Sequence, residues 1–297
     1  MNFKHKIGLI WLFAAILMIV FPSVAQGDRL EDCILIIGDS IPAGQAVSRI
    51  PGYGFPVIVS EAFSRVLDTY YNETGITHMG IYDLSVGASR LGTGDNVRYF
   101  DTPQFAFAIT KRCQFAVIFP FINDLPDSTD AAAVNNHILR LQQLVTALQS
   151  NSSQTQVLIL DYYRVIVTEL GERVYGNTIS PPVIGTMNQA LSTACTPTGL
   201  LGSRRNVTCL HIEPYLLPLD NALMRSVTQT QFYAEGFYVN DRQGQAWLTE
   251  FWGNNPNSPI DVDGVHLNSD GKRRLAEAIH NALQTINPSA FQTVASF

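Results

Sequence analysis

From residue 30 onward the chain alternates between two patterns: short continuous apolar runs, and longer segments in which apolar residues recur every three or four positions. Continuous runs rich in Ile, Val and Leu read as strands buried on both faces, and the intervening period reads as amphipathic helix. The runs place strands at Cys33 to Ile37, Met79 to Leu84, Gln114 to Phe119, Gln156 to Leu160 and Asn206 to Ile212. Helices are expected near Tyr53 to Leu67, Thr102 to Arg112, Ala131 to Gln149 and Val183 to Thr193, with a last one from about Ser269 to Thr285. The clearest is the third, where Val134, Ile138, Leu141, Leu144, Val145 and Leu148 keep helical spacing. Strand and helix in alternation with short connections imply an α/β fold: a doubly wound, three-layer α/β/α sandwich around a mostly parallel five-stranded sheet. In such a sheet the loops beyond the carboxyl ends of the strands form the site.

Composition narrows the function classes. The 297 residues are 46% hydrophobic and 15% charged, enough apolar material for one large core, so residues 26–297 are expected to form a single domain. A net charge of −6 offers no basic surface for nucleic acid. At the N-terminus, Lys4 and Lys6 precede an apolar stretch from Ile7 to Phe21, followed by Pro22 and the small-residue pattern Ser23-Val24-Ala25. A charged start, a short apolar core and a small-residue site describe an export signal at residues 1–25, and the apolar stretch is shorter than the roughly 17–25 residues of a membrane span. Cleavage after Ala25 is expected, with an uncleaved anchor as the alternative; the mature chain is then secreted or periplasmic, with no stable membrane insertion.

Four cysteines in an exported chain invite pairing. Cys33 and Cys113 each stand just before an apolar run, so on neighbouring parallel strands they lie side by side. Cys195 and Cys209 bracket a polar segment that a bridge staples. Of the three possible pairings these two are favoured, against free buried thiols. Asn72, Asn151 and Asn206 head Asn-x-Ser/Thr sequons, which carry glycan only in a glycosylating host.

Chemistry-bearing residues follow the strands in order. Gly38-Asp39-Ser40 ends the first, SVGAS with Gly87 follows the second, FIND with Asn123 and Asp124 follows the third, and Asp263-Gly264-Val265-His266 precedes the last helix. In this the sequence resembles the SGNH (GDSL) hydrolase family of serine esterases and lipases, whose four blocks carry a Ser in Gly-Asp-Ser, a Gly, an Asn in Gly-x-Asn-Asp and a His in Asp-x-x-His. The resemblance spans nearly the whole mature chain. It implies the flavodoxin-like fold of that family, Ser40 as nucleophile, His266 as base, Asp263 as its orienting carboxylate, and an oxyanion hole made of the Ser40 and Gly87 amides and the Asn123 side chain. Two departures stand out: Phe121 occupies the usual Gly position of the third block, and Asp83 stands where the second block commonly has Asn, leaving Gly87 or its neighbour Ala88 as the amide donor.

The residue types suit acyl transfer on their own terms. A serine hydroxyl needs a base to take its proton, a neutral imidazole does so near neutral pH, and a carboxylate on the other ring nitrogen fixes the tautomer. Locally, Ser40 competes with a plain helix N-cap, and Asn123-Asp124 with an Asx turn before Pro126. Asp39 is read as ordering the turn after the first strand. His5, His78, His137, His211 and His280 are left as surface residues, since none has an Asp at the needed offset beside a strand end. The acidic loop DVDGVHLNSDGK fails the calcium-loop pattern, having Gly264 fourth and Lys272 twelfth, and no zinc spacing or phosphate-binding glycine loop occurs; no cofactor and no metal are expected. A long insertion at about 213–261, with Phe232, Tyr233, Phe237, Tyr238, Trp247, Phe251 and Trp252, leads into Asp263 and is expected to wall the cleft or to close a satellite core. The function expected is an exported serine esterase acting on an acetylated glycan, lipid or other small ester. An O-acyltransferase on the same residues and a catalytically silent binding module are the alternatives.

Overall fold

The computed structural model of the chain describes residues 30–44, 61–94, 97–125, 129–163, 181–216, 267 and 269–292. Five strands form one sheet: β1 (Glu31–Ile37), β2 (Gly80–Asp83), β3 (Cys113–Ile118), β4 (Gln156–Leu160) and β5 (Val207–Leu210). Their order is β2-β1-β3-β4-β5, and every pairing is parallel. The chain thus leaves β1 first to one side and then, after β2, to the other. Next to β1 lies the topological switch point, where an open α/β sheet forms its crevice.

Helices α1 (Ser40–Ala43), α2 (Phe63–Thr74), α3 (Pro103–Thr110), α4 (Ala131–Asn151), α5 (Pro181–Ala194), α6 (Glu213–Leu216) and α7 (Ser269–Ile286) accompany the strands. They pack in two groups, α2 with α7 and α3 with α4 and α5, which the right-handed crossovers of a parallel sheet place on opposite faces. The central strands lie between the two layers: Ile34 to Ile37, Phe115 to Ile118 and Val157 to Leu160 are all buried. This burial on both faces explains why these strands read as continuous apolar runs rather than alternating ones.

The α/β expectation holds, with differences in extent. The second helix reaches Thr74 rather than Leu67, because Phe63, Val66, Leu67 and Tyr71 form one buried stripe and the stop signal is Gly75, whose φ of 79° closes the helix in the left-handed region. The expected start at Tyr53 lies outside the described residues, as do the export signal and residues 217–261 of the insertion. The fifth strand is four residues instead of seven: Asn206 turns with a φ of 62° and the ladder ends at Leu210. Both expected disulfides are present, Cys33–Cys113 with Cα atoms 4.9 Å apart and Cys195–Cys209 with 6.1 Å. The first ties β1 to its neighbour β3 and the second ties the end of α5 to β5.

Two of the histidines read as surface residues are not. His137 and His280 are buried, the first on the inward stripe of α4 and the second on α7 among the rings of Tyr70, Tyr71 and Phe291.

Candidate active site

Ser40 stands three residues beyond the last strand residue of β1, at the switch point, as the first residue of the one-turn helix α1. The capping oxygen of that helix belongs to Asp39 rather than to Ser40: Asp39 Oδ1 accepts from the Ile41 amide at 3.1 Å. Gly38 is required by close approach, since a Cβ there would lie 2.6 Å from Pro42 Cγ and 2.8 Å from Phe119 Cβ. Only a residue without a side chain lets the strand turn this tightly against β3.

The loops after β2 and β3 close around this turn. The ladder continues past the strands, with the Leu84 amide donating to Ile36 O at 2.8 Å, Val86 N to Gly38 O at 3.0 Å and Phe119 N to Ile37 O at 2.8 Å. Gly87 and Ala88 then make the turn of the second block, and the left-handed conformation falls on Ala88, with a φ of 57°. Asn123, in a single 3₁₀ turn after β3, reaches back to Asp39: its amide N and its Nδ2 lie 3.4 and 3.2 Å from Asp39 Oδ2. The same Nδ2 donates to Ser89 O at 3.1 Å. Asp39, fully buried, thus joins α1 to the third block, and Asn123 joins both to the second.

Asp124 completes the stitching. Its carboxylate accepts from the amides of Leu91 and Gly92, the latter at 3.0 Å, and lies 3.5 Å from an Arg140 guanidinium nitrogen on α4. Burial raises its pKa, opposed by those two amides and by Arg140. The close packing extends to Gly92, where a Cβ would meet Asp124 Oδ1 at 2.9 Å.

Phe121, in place of the usual glycine, is accommodated by pointing its ring into the core. It is fully buried, edge-on to Tyr99 with centroids 5.2 Å apart, and its φ of −81° is one any residue adopts. Behind it, the Tyr162 hydroxyl lies 3.4 Å from Phe121 O and 3.0 Å from His137 Nε2. Burial holds the Tyr162 hydroxyl well above its usual range, with Asp124 and Asp39 adding to the effect. Burial likewise pushes His137 down to about 3, helped by Arg140, so its ring is neutral at physiological pH.

Ser40, Gly87 and Asn123 are therefore brought to one sheet edge, at the ends of β1, β2 and β3. Asp261, Asp263 and His266 lie outside the described residues; Leu267, directly after His266, is buried.

No model of a protein family matches the sequence, and no curated protein matches it. Solved structures do. A carbohydrate acetylesterase from Sinorhizobium meliloti superposes with a TM-score of 0.54 at 11% identity, over 86% of this chain and all of that one. An aryl esterase from M. smegmatis gives 0.54 at 13% identity, over 86% of this chain and 99% of that one. The fold is that of the SGNH (GDSL) hydrolases. On this SGNH-type framework, three features escaped the sequence reading. Asp124 and its two amides, and the Tyr162–His137 pair, depend on contacts between segments far apart in the chain. The third is an imidazole–carboxylate pair, His211 with Asp161. A search for an Asp at a fixed offset from each His misses it, because the partner comes from the adjacent strand: Leu160 and Leu210 are in register, and Asp161 and His211 are the next residues.

Proposed function

We propose that the chain is an exported serine esterase that hydrolyses small carboxylic esters through an acyl-enzyme on Ser40. The observation that carries this reading is the convergence of Ser40, the Gly87–Ala88 turn and Asn123 at the switch point of the sheet, locked together by the buried Asp39. In this reading Ser40 Oγ attacks the ester carbonyl carbon while His266 takes its proton and Asp263 holds the imidazole in the right tautomer. The oxyanion receives hydrogen bonds from the Ser40 and Gly87 amides and from Asn123. Since Nδ2 of Asn123 faces both Asp39 and Ser89 O, the Asp39 bond holds the amide in place while the hydrogen given to Ser89 O is exchanged for the oxyanion. Collapse expels the alcohol, which takes the proton from His266, and water then cleaves the acyl-Ser40 ester by the same steps. No cofactor enters the scheme. The name of one neighbour, a carbohydrate acetylesterase, supports an acetyl ester as a first substrate. Two disulfides support an oxidising compartment.

The test is Ser40→Ala. The variant is expected to fold as the parent does, to lose nearly all hydrolysis of 4-nitrophenyl acetate and to lose labelling by a fluorophosphonate. Turnover close to that of the parent would exclude Ser40 as nucleophile.

A further inference from the structure

The Asp161–His211 pair stands at the carboxyl ends of β4 and β5, on the same sheet edge as Ser40 but on the far side of β3. With strands about 4.8 Å apart, it is two to three strand spacings, on the order of 10–14 Å, from the end of β1. That is too far for His211 to take the Ser40 proton. The pair opens on a cavity of about 520 Å³ between α5 and the β4–β5 edge, lined among others by Asp161, Gln189, Ser192 and His211 over an apolar floor of Leu160 and Leu210. The volume is that of a small-molecule site.

The site is fixed before any ligand arrives. Asp161 Oδ1 accepts from the Ile212 amide at 2.9 Å, and its side chain is 14% exposed. The Asn188 amide clamps Tyr162, receiving its N–H at 2.9 Å and donating to its carbonyl at 2.5 Å. His211 Nδ1 is held by Asp161 Oδ2 while its side chain is 61% exposed. A carboxylate only accepts, so Nδ1 donates to Asp161 and Nε2 is the ring nitrogen left for a ligand. Gln189 and Ser192 each both donate and accept.

We infer that this cavity binds a neutral, polyhydroxylated ligand, the carbohydrate portion of a substrate, with His211 Nε2 hydrogen-bonded to a sugar hydroxyl, which can either donate or accept. No Lys or Arg is among the described lining residues, and an anion there would meet the Asp161 carboxylate. Among the described residues a metal ion would find only the two ligands of the pair. A sugar matches the mixed donors and acceptors and lays its C–H face on the apolar floor. The inference deepens the esterase reading by assigning the alcohol side of the ester, and rests on it for that role alone.

Titrating the full-length oxidised protein with xylohexaose, and separately with sodium sulfate, while following the histidine ring resonances by NMR tests it. The sugar is expected to move the His211 signal saturably and sulfate to leave it in place, with Asp161→Ala weakening the sugar's effect at least tenfold. Gln189→Ala, at an exposed helix position, is expected to weaken it severalfold and covers the case in which Asp161→Ala fails to fold. No saturable shift with xylohexaose, an equal shift with sulfate, or a shift untouched by Gln189→Ala overturns the inference. Hydrolysis of 4-nitrophenyl acetate by the parent protein reads the esterase assignment separately: binding without hydrolysis removes that assignment and keeps this site, and hydrolysis without binding does the reverse.

Discussion

At the scale of single residues, the second block shows how one backbone angle is allotted. The resemblance implies Gly87 as the oxyanion amide, and the left-handed position of the turn is held by its neighbour Ala88. An L-residue there costs about 1–2 kcal/mol relative to a right-handed conformation, and such strain at a site persists only when the surroundings hold it. Here the Val86 bond to Gly38 O on one side and the Asn123 bond to Ser89 O on the other fix the turn. Ala88→Gly is therefore expected to raise stability by about 0.5–1 kcal/mol after allowing for the greater freedom of glycine in the unfolded chain. Urea denaturation measures the change, and a loss of stability would show that the Ala88 methyl makes a contact worth more than the strain.

At the scale of elements, the 3₁₀ turn after β3 and the loop after β2 hold each other through Asp124. Asp124→Asn keeps one acceptor oxygen but turns a donor toward the Leu91 or Gly92 amide and removes the charge beside Arg140. A buried amide left facing a donor costs about 1–3 kcal/mol, so a loss of that order is expected, together with a fall in kcat at nearly constant KM as the loop carrying Asn123, the proposed oxyanion donor, loosens. Urea denaturation and steady-state kinetics on 4-nitrophenyl acetate together read the two effects; full activity with reduced stability would make Asp124 a fold residue only. The Cys195–Cys209 bridge acts on a different element, the connection from α5 to β5. Its sequence separation is 14, for which the chain-entropy account gives about 3 kcal/mol. Replacing both cysteines by serine is expected to lower the denaturation midpoint by that order, and peptide mapping of the parent without reduction is expected to recover the two residues in one linked fragment.

At the scale of the whole molecule, the interior sets an acid limit. His137 is neutral when folded, with its pKa pushed down to about 3, and regains its ordinary value near 6.5 when the chain unfolds. Below pH 6.5 the unfolded chain binds a proton that the folded one refuses, so stability falls as pH drops from 6.5 toward 3 and this contribution is constant above 6.5. The burial of His280, whose pKa is also lowered, acts in the same direction. His137→Gln retains an amide for the Tyr162 hydroxyl and does not titrate. Its stability is expected to fall less steeply than that of the parent over the same pH interval, by a slope approaching one proton. Parallel curves for the two proteins would mean that His137 is protonated in the folded state after all.

Local pattern alone determined the kinds and order of the elements: strands buried on both faces are continuous Ile, Val and Leu runs, and helices with one buried face keep a period near 3.6, so both are legible from neighbours in the chain. It also ordered the Ser40, Gly87 and Asn123 blocks, because each follows a strand whose end a parallel sheet must place on one edge, and it favoured the two cysteine pairs that the structure contains. Tertiary structure decided what depends on residues that meet only when strands align. The Asp39–Asn123 bonds span 84 positions and the His211–Asp161 pair 50, and no period in the sequence encodes either. It also assigned His137 to the core, where its ring at a buried position of α4 meets Tyr162, because whether a polar residue on an amphipathic helix faces water or a partner is settled by the element packed against it.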